Sequence, residues 1–220
     1  MSPEFILLIL QGILETLYMT LGATLGAYIL GLPLAILLVV TKKGSIMRPN
    51  PTVYKILDTL INLLRSVPFL ILMVAIIPFT RFVVGTSIGS SATLVPLIVA
   101  ATPFVARLIE QSFEEVDKGI IEAALSMGAK TRHIILNVYI KETLPSLLLG
   151  LAIASTTILG YSAMAGFVGG GGLGSIAINY GYYRYENGVM VVTVILLVLL
   201  VAIFQNIGLY LNKKFDHRRR

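Results

Sequence analysis

The stretch EQSFEEVDKGIIEAALSMGAKTRHIILNVYIKE, Glu110 to Glu142, holds most of the acidic residues of the chain, together with Lys118, Lys130, Arg132 and Lys141. It is too polar to cross a bilayer. Yet apolar runs adjoin it on both sides, residues 92–109 before it and 144–165 after it. A polar segment between two runs near the length of a membrane span lies outside the membrane, and the runs are helices that reach it from the bilayer.

Working outward, the same alternation organises the whole chain. Hydrophobic residues make up 56% of it and charged residues 13%, where a soluble domain is about one quarter charged. A first run covers residues 5–40 and is interrupted only by Gln11 and Glu15. Helical throughout, it would be about 54 Å long, too long for one bilayer core and short for two spans with a turn. The expectation is one span from about Thr16 to Val40, preceded by an interfacial helix. A second run, 57–84, contains Pro68 and Pro78 and ends in GTSIGSS (85–91); the third contains Pro96 and Pro103. The fourth leads into GFVGGGGLGS (166–175) and the Tyr-rich NYGYYRYENG (179–188), whose Tyr180, Tyr182, Tyr183 and Tyr185 suit a membrane interface. The last run, 189–211, ends in the basic tail NKKFDHRRR. Loops 42–55 and 110–142 and the tail hold nearly all Lys and Arg, whereas the two intervening loops hold only Arg81 and Arg184. An all-α integral membrane protein with about five spans, N-terminus outside and C-terminus cytoplasmic, satisfies every loop.

Several function classes drop out. The net charge of +6 does not indicate nucleic acid, because the basic residues sit in loops between spans and not on one soluble face. With no cysteine, and with His133 and His217 both in polar segments, no thiol chemistry and no metal site is expected. MSPEF lacks a basic n-region, so no cleaved signal peptide is expected. No P-loop motif occurs; Lys130 and Thr131 lack its glycines. No ionisable residue is expected at the bilayer centre, which disfavours a proton- or sodium-coupled carrier. Arg65, Arg107 and Glu110 lie near span ends, where snorkelling is the default, and Arg107 and Glu110 are spaced to pair on a helix.

Within the polar stretch, Asp117 can cap a helix, Glu122 would sit near its N-terminal dipole, and Gly128 suits a left-handed end. A second helix can begin near Thr131. Ala123, Ala124 and Gly128 would form a small-residue face with Ile120, Leu125 and Met127 as apolar contacts. From the residues alone, a helix lying on headgroups and a docking interface are both open. Gly169, Gly170, Gly171, Gly172 and Gly174 satisfy G-x-G-x-x-G, but no strand precedes them, so tight turns and close approach replace a dinucleotide site. Tyr161, Ser162 and Met164, in the outer half of the fourth span, could pack between helices or line a pathway.

Glu122, Ala123, Ala124 and Gly128, in the spacing EAA, three residues, Gly, followed by Val138 and by Leu144 and Pro145, resemble the signature loop of permease subunits of bacterial ABC importers. The usual Leu-Pro pair falls two residues after Val138, where this chain has Ile140 and Lys141. LRSVPFLIL (64–72), IPFTRFVVGTSIG (77–89) and LGYSAMAGFVGGGGLG (159–174) are similar to the methionine branch over nearly the whole chain. The resemblance implies a type I importer permease fold, with residues 1–220 one transmembrane domain of the bacterial cytoplasmic membrane and a coupling-helix loop at about 110–142. It implies ATPase coupling through Glu122, Ala123, Ala124, Leu125, Met127 and Gly128. It favours Met164, with Tyr161 and Ser162, as a gate, and places Gly169–Gly172 and Gly174 at a mouth facing a binding protein. The implied partners are a second copy, a cytoplasmic ATPase dimer that binds ATP and Mg, and a methionine-binding lipoprotein. No cofactor is expected in this chain. The alternatives are a permease for another small amino acid and a self-sufficient secondary carrier.

Overall fold

The computed structural model describes residues 3–45 and 47–215; the end of the basic tail, with His217, lies outside the described residues. Every regular element among the described residues is helical. The first, α1 (Pro3–Thr41), is a single 39-residue helix, about 58 Å long. The separate interfacial helix expected before Thr16 is therefore not formed. The two polar residues that suggested a break are satisfied in place. Gln11 Nε2 donates to Glu15 Oε1 at 3.0 Å, and Glu15 Oε2 accepts the Gly172 N–H at 2.6 Å. Pro33 is carried inside the helix.

The second run is broken. α2 (Pro51–Ser66) starts with Asn50 Oδ1 accepting from the Val53 N–H at 3.2 Å and with Pro51 in the first turn, where a missing N–H costs nothing. Val67 is extended, as a residue before proline prefers, and Pro68 opens α3 (Phe69–Ala75). The α2 and α3 axes differ by 100°. α4 (Ile77–Val84) follows and ends at left-handed Gly85. Among the described residues, four helices are long and apolar enough to cross a membrane, five if the bent α2–α3 pair is one span. The second run, which carries Pro68 and Pro78, is thus a bent pair followed by α4.

α5 (Ser90–Glu114) carries Pro96 and Pro103 and is the centre of the bundle. Its Leu97, Ala101, Val105 and Ile109 pack on Met19, Ala23, Ala27 and Ala35 of α1. Small residues let the backbones approach: a Cβ at Gly26 would come within 2.7 Å of Ile98. In lipid, such close packing replaces the hydrophobic drive of water. Then come α6 (Lys118–Ser126), α7 (Thr131–Ile134), a π-helical segment (Ile135–Tyr139) and α8 (Ile140–Glu142). α9 (Leu144–Ala165) contributes Ala154 and Ile158 to the core. A 3-10 turn (Gly166–Val168), α10 (Gly172–Ile176) and a second π-helical segment (Ala177–Tyr182) precede α11 (Asn187–Phe215). α11 lies along α9, where Asn212 Nδ2 donates to the Pro145 carbonyl at 2.9 Å. Its Val191, Val194, Ile195 and Val198 stay exposed, as a lipid-facing helix requires.

Candidate functional site: the polar helix and the glycine segment

α6 is built by local chemistry at both ends. Asp117 Oδ1 accepts from the Gly119 N–H at 2.6 Å, satisfying one of the free donors at a helix start. At the other end Gly128 adopts φ +78° and its N–H donates to the Leu125 carbonyl at 2.9 Å. Glu122 falls in the second turn and not the first, too far along for the dipole role expected of it.

Burial divides the motif. Ile121 and Ala124 are buried in the core with Phe113, Val116, Ile134 and Tyr139, and Leu125 packs against the same cluster. Ile120 is 44% exposed and Met127 81%, and Glu122, Ala123 and Gly128 are exposed as well. The expected small-residue face is therefore split: Ala124 anchors, while Ala123 and Gly128 face outward. The exposed apolar residues Ile120, Ala123 and Met127 follow i, i+3, i+7, one face of a helix. A cavity of about 510 Å³ opens beside α6, lined by Lys42, Lys43, Phe113, Lys118, Glu122 and Tyr139 among others, so α6 hangs from the foot of α5 by one flank. Lys42 bridges this gap to Glu114; the hydrogen bond to that carboxylate raises the Lys42 pKa. Stability from a raised lysine is present below its ordinary pKa and is lost only as pH climbs through the folded value, so this tie is intact at neutral pH. Burial likewise raises the Tyr139 phenol, whose ring lies 5.2 Å from that of Phe113.

At the other end of α9, Tyr161 stacks on Phe69 with ring centroids 4.7 Å apart and planes within 5°. Met164 is 45% exposed. Ser162 is buried and its hydroxyl donates to the Leu159 carbonyl of its own helix at 2.8 Å, so it packs and reaches no open surface of the protomer. The glycine segment also turns largely inward. Gly170, Gly172 and Gly174 are buried, Gly171 is half-buried and Gly169 is exposed. A Cβ at Gly174 would come within 2.8 Å of Ala163 backbone atoms. The Gly89 N–H donates to the Gly169 carbonyl at 2.9 Å, tying the 85–89 and 166–171 loops, and the Leu173 N–H donates to Thr16 Oγ1 at 2.9 Å.

Four residues carry roles that no local sequence pattern gives them. Glu15 and Thr16 of α1 accept the first N–H groups of α10. Phe69 supplies the partner of Tyr161. Arg107 does not snorkel: its guanidinium donates to Glu110 at 2.6 Å and Asn62 at 3.2 Å and is ion-paired with Asp58. The Arg107 side chain is 14% exposed and that of Glu110 5%. The signal for Asp58 and Asn62 was their i, i+4 spacing on the polar face of an amphipathic helix.

The arrangement has counterparts. A family model described as "Binding-protein-dependent transport system inner membrane component" matches residues 27–217. The chain is 49% identical over 211 residues to the probable D-methionine transport system permease protein MetI of Vibrio cholerae, covering 96% of this chain and 93% of that one. It is 43% identical over 204 residues to the methionine import system permease protein MetP of Bacillus subtilis, covering 93% and 91%. A chain from the solved inward-facing conformations of the MetNI methionine ABC transporter superposes with a TM-score of 0.96 at 42% identity, covering 99% of this chain and all of that one. The chain belongs to the family of binding-protein-dependent transport system inner membrane components and is a multi-pass protein of the bacterial inner membrane.

Proposed function

We propose that this chain is the permease subunit of an ATP-driven methionine importer and that α6 is its coupling helix. Residues 1–220 act as one transmembrane unit with the 110–142 loop and the C-terminus in the cytoplasm. Two copies enclose the pathway, an ATPase dimer binds beneath them, and an extracytoplasmic methionine-binding lipoprotein docks above. The observation that carries the coupling role is the apolar stripe Ile120, Ala123 and Met127, exposed on a capped helix that belongs to no span. Such anchors at i, i+3 and i+7 suit a helix seated in a groove of a partner. Glu122 and Gly128 flank the stripe and complete the contact; Ala124 and Leu125 hold the helix on α5.

ATP biases the pathway only through contacts that differ between its two states. Closure of the ATPase dimer moves both α6 helices, and each is fixed to its α5 through Ile121 and Ala124. The motion therefore enters the bundle at its most buried helix and rocks the two protomers from inward-open to outward-open. Met164 and Tyr161 line the pathway between protomers, Met164 as a flexible seal that re-packs on opening. Gly169 and the exposed edge of Gly171 present backbone to the binding protein.

Co-purification of the chain with its ATPase from detergent tests the coupling role. Ala123→Trp should insert normally yet lose the ATPase, because the indole blocks a groove. On a bare headgroup surface the same indole would only strengthen attachment, and an undiminished complex would remove the coupling assignment.

A further inference from the structure

α2 is held to the bundle on a narrow front. Its one fully buried side chain is Ile61, packed with Leu38 of α1 and Ala106 of α5, while Ile56, Leu60 and Leu63 are exposed on another flank. The polar ties between α2 and α5 converge on Arg107, which engages Asp58 and Asn62 across the interface and Glu110 on its own helix. Asn62 Nδ2 in turn donates to Asp58 Oδ2 at 3.3 Å, so both acceptors are held in place. A charge buried to this degree strongly resists losing its partner.

The two helices lead to opposite ends of the mechanism. Beyond Arg107, α5 reaches Phe113, and the chain continues to Val116, against which Ile121 and Ala124 of α6 are buried. Beyond Asn62, α2 reaches the 100° bend and α3, whose first residue, Phe69, stacks on Tyr161. We infer that Arg107 is a positioning residue of the transport cycle: by clasping Asp58 it makes α2 move with α5, so that a displacement entering at α6 arrives at the Phe69–Tyr161 stack. This rests on the coupling role proposed for α6.

The test uses the complete transporter, with its ATPase and methionine-binding protein, in liposomes, and reads methionine moved per ATP hydrolysed. Asp58→Asn keeps shape and removes the charge. It should lower that ratio by about fivefold while the complex still co-purifies. A merely structural role would lower yield or melting temperature and leave the ratio alone. Because the chain has no cysteine, the triple variant Asp58→Cys, Arg107→Cys, Glu110→Gln permits a rescue. It should be uncoupled as made and recover when a short bis-maleimide joins α2 to α5. If Asp58→Asn does not accumulate, the triple variant before and after bridging carries the test. A wild-type ratio in Asp58→Asn, or bridging that fails to restore the ratio, overturns the inference. A normal Asp58→Asn beside a defective Ala123→Trp would remove this clasp alone, whereas an Ala123→Trp that retains the ATPase would remove the coupling role beneath it.

Discussion

Each residue of α6 has a separable task, and substitutions should separate them. Asp117→Ala removes the acceptor of the Gly119 N–H and should cost about 1 kcal/mol of helix stability, read as faster amide exchange over 118–121; Asp117→Asn should restore most of it. Ile121 is 4% exposed, so Ile121→Ala should cost about 2–4 kcal/mol and lower the melting temperature in detergent. Met127→Ala, on the exposed stripe, should leave that temperature within a degree or two and weaken ATPase binding instead. At Gly128 nothing lies within 4 Å of an added Cβ, so the obstacle there is conformational. Gly128→Asn, which tolerates a left-handed backbone, should disturb α6 less than Gly128→Val, and both should insert in the membrane. The cap and the left-handed turn were legible in the sequence because they depend on near neighbours alone. The division between Ala123 and Ala124 was not, since it depends on where Phe113 of α5 and Val116 of the turn after it lie.

Among the elements, α1 and α2 show how composition and partner geometry contribute differently. Gln11 and Glu15 read as an interruption of the first run, yet the Gln11 amide donates to the Glu15 carboxylate, which also accepts the Gly172 N–H of α10. A polar residue ends a membrane helix only where it finds no such partner. Pro68 marks a break in the second run, but the bend there is 100° and brings Phe69 onto Tyr161, a contact 92 residues away in sequence that no local pattern announces. The glycine run is a place of close approach, and its direction, towards α1 and α9 more than outward, depends on Thr16, Ala163 and Ala165 of those helices. Two glycines should therefore respond oppositely to alanine. Gly174→Ala would drive a methyl into the Ala163 backbone and should lower the yield of folded permease. At Gly160 a methyl meets nothing within 4 Å, so Gly160→Ala should leave folding intact or favour α9 by up to about 1 kcal/mol. Thermal unfolding in detergent of both variants checks the pair.

At the scale of the whole molecule, hydropathy and the loop distribution of Lys and Arg outlined an all-helical membrane fold, because bilayer thickness fixes span length. The orientation expected from the same charges is measurable because the chain has no cysteine. In intact cells Tyr185→Cys should react with an impermeant maleimide, and Glu122→Cys should react only after the membrane is opened. The reverse pattern would place α6 outside and remove any cytoplasmic partner. With α6 as the coupling helix, motion enters this chain from an ATPase and is not generated by the chain itself. This is tested most directly by radiolabelled methionine uptake into liposomes, comparing the chain alone with the full transporter supplied with ATP and binding protein. Uptake only by the full, ATP-supplied transporter, abolished by Ala123→Trp, is the result expected. Uptake by the chain alone, or uptake indifferent to Ala123→Trp, would show that α6 does not couple this chain to an ATPase.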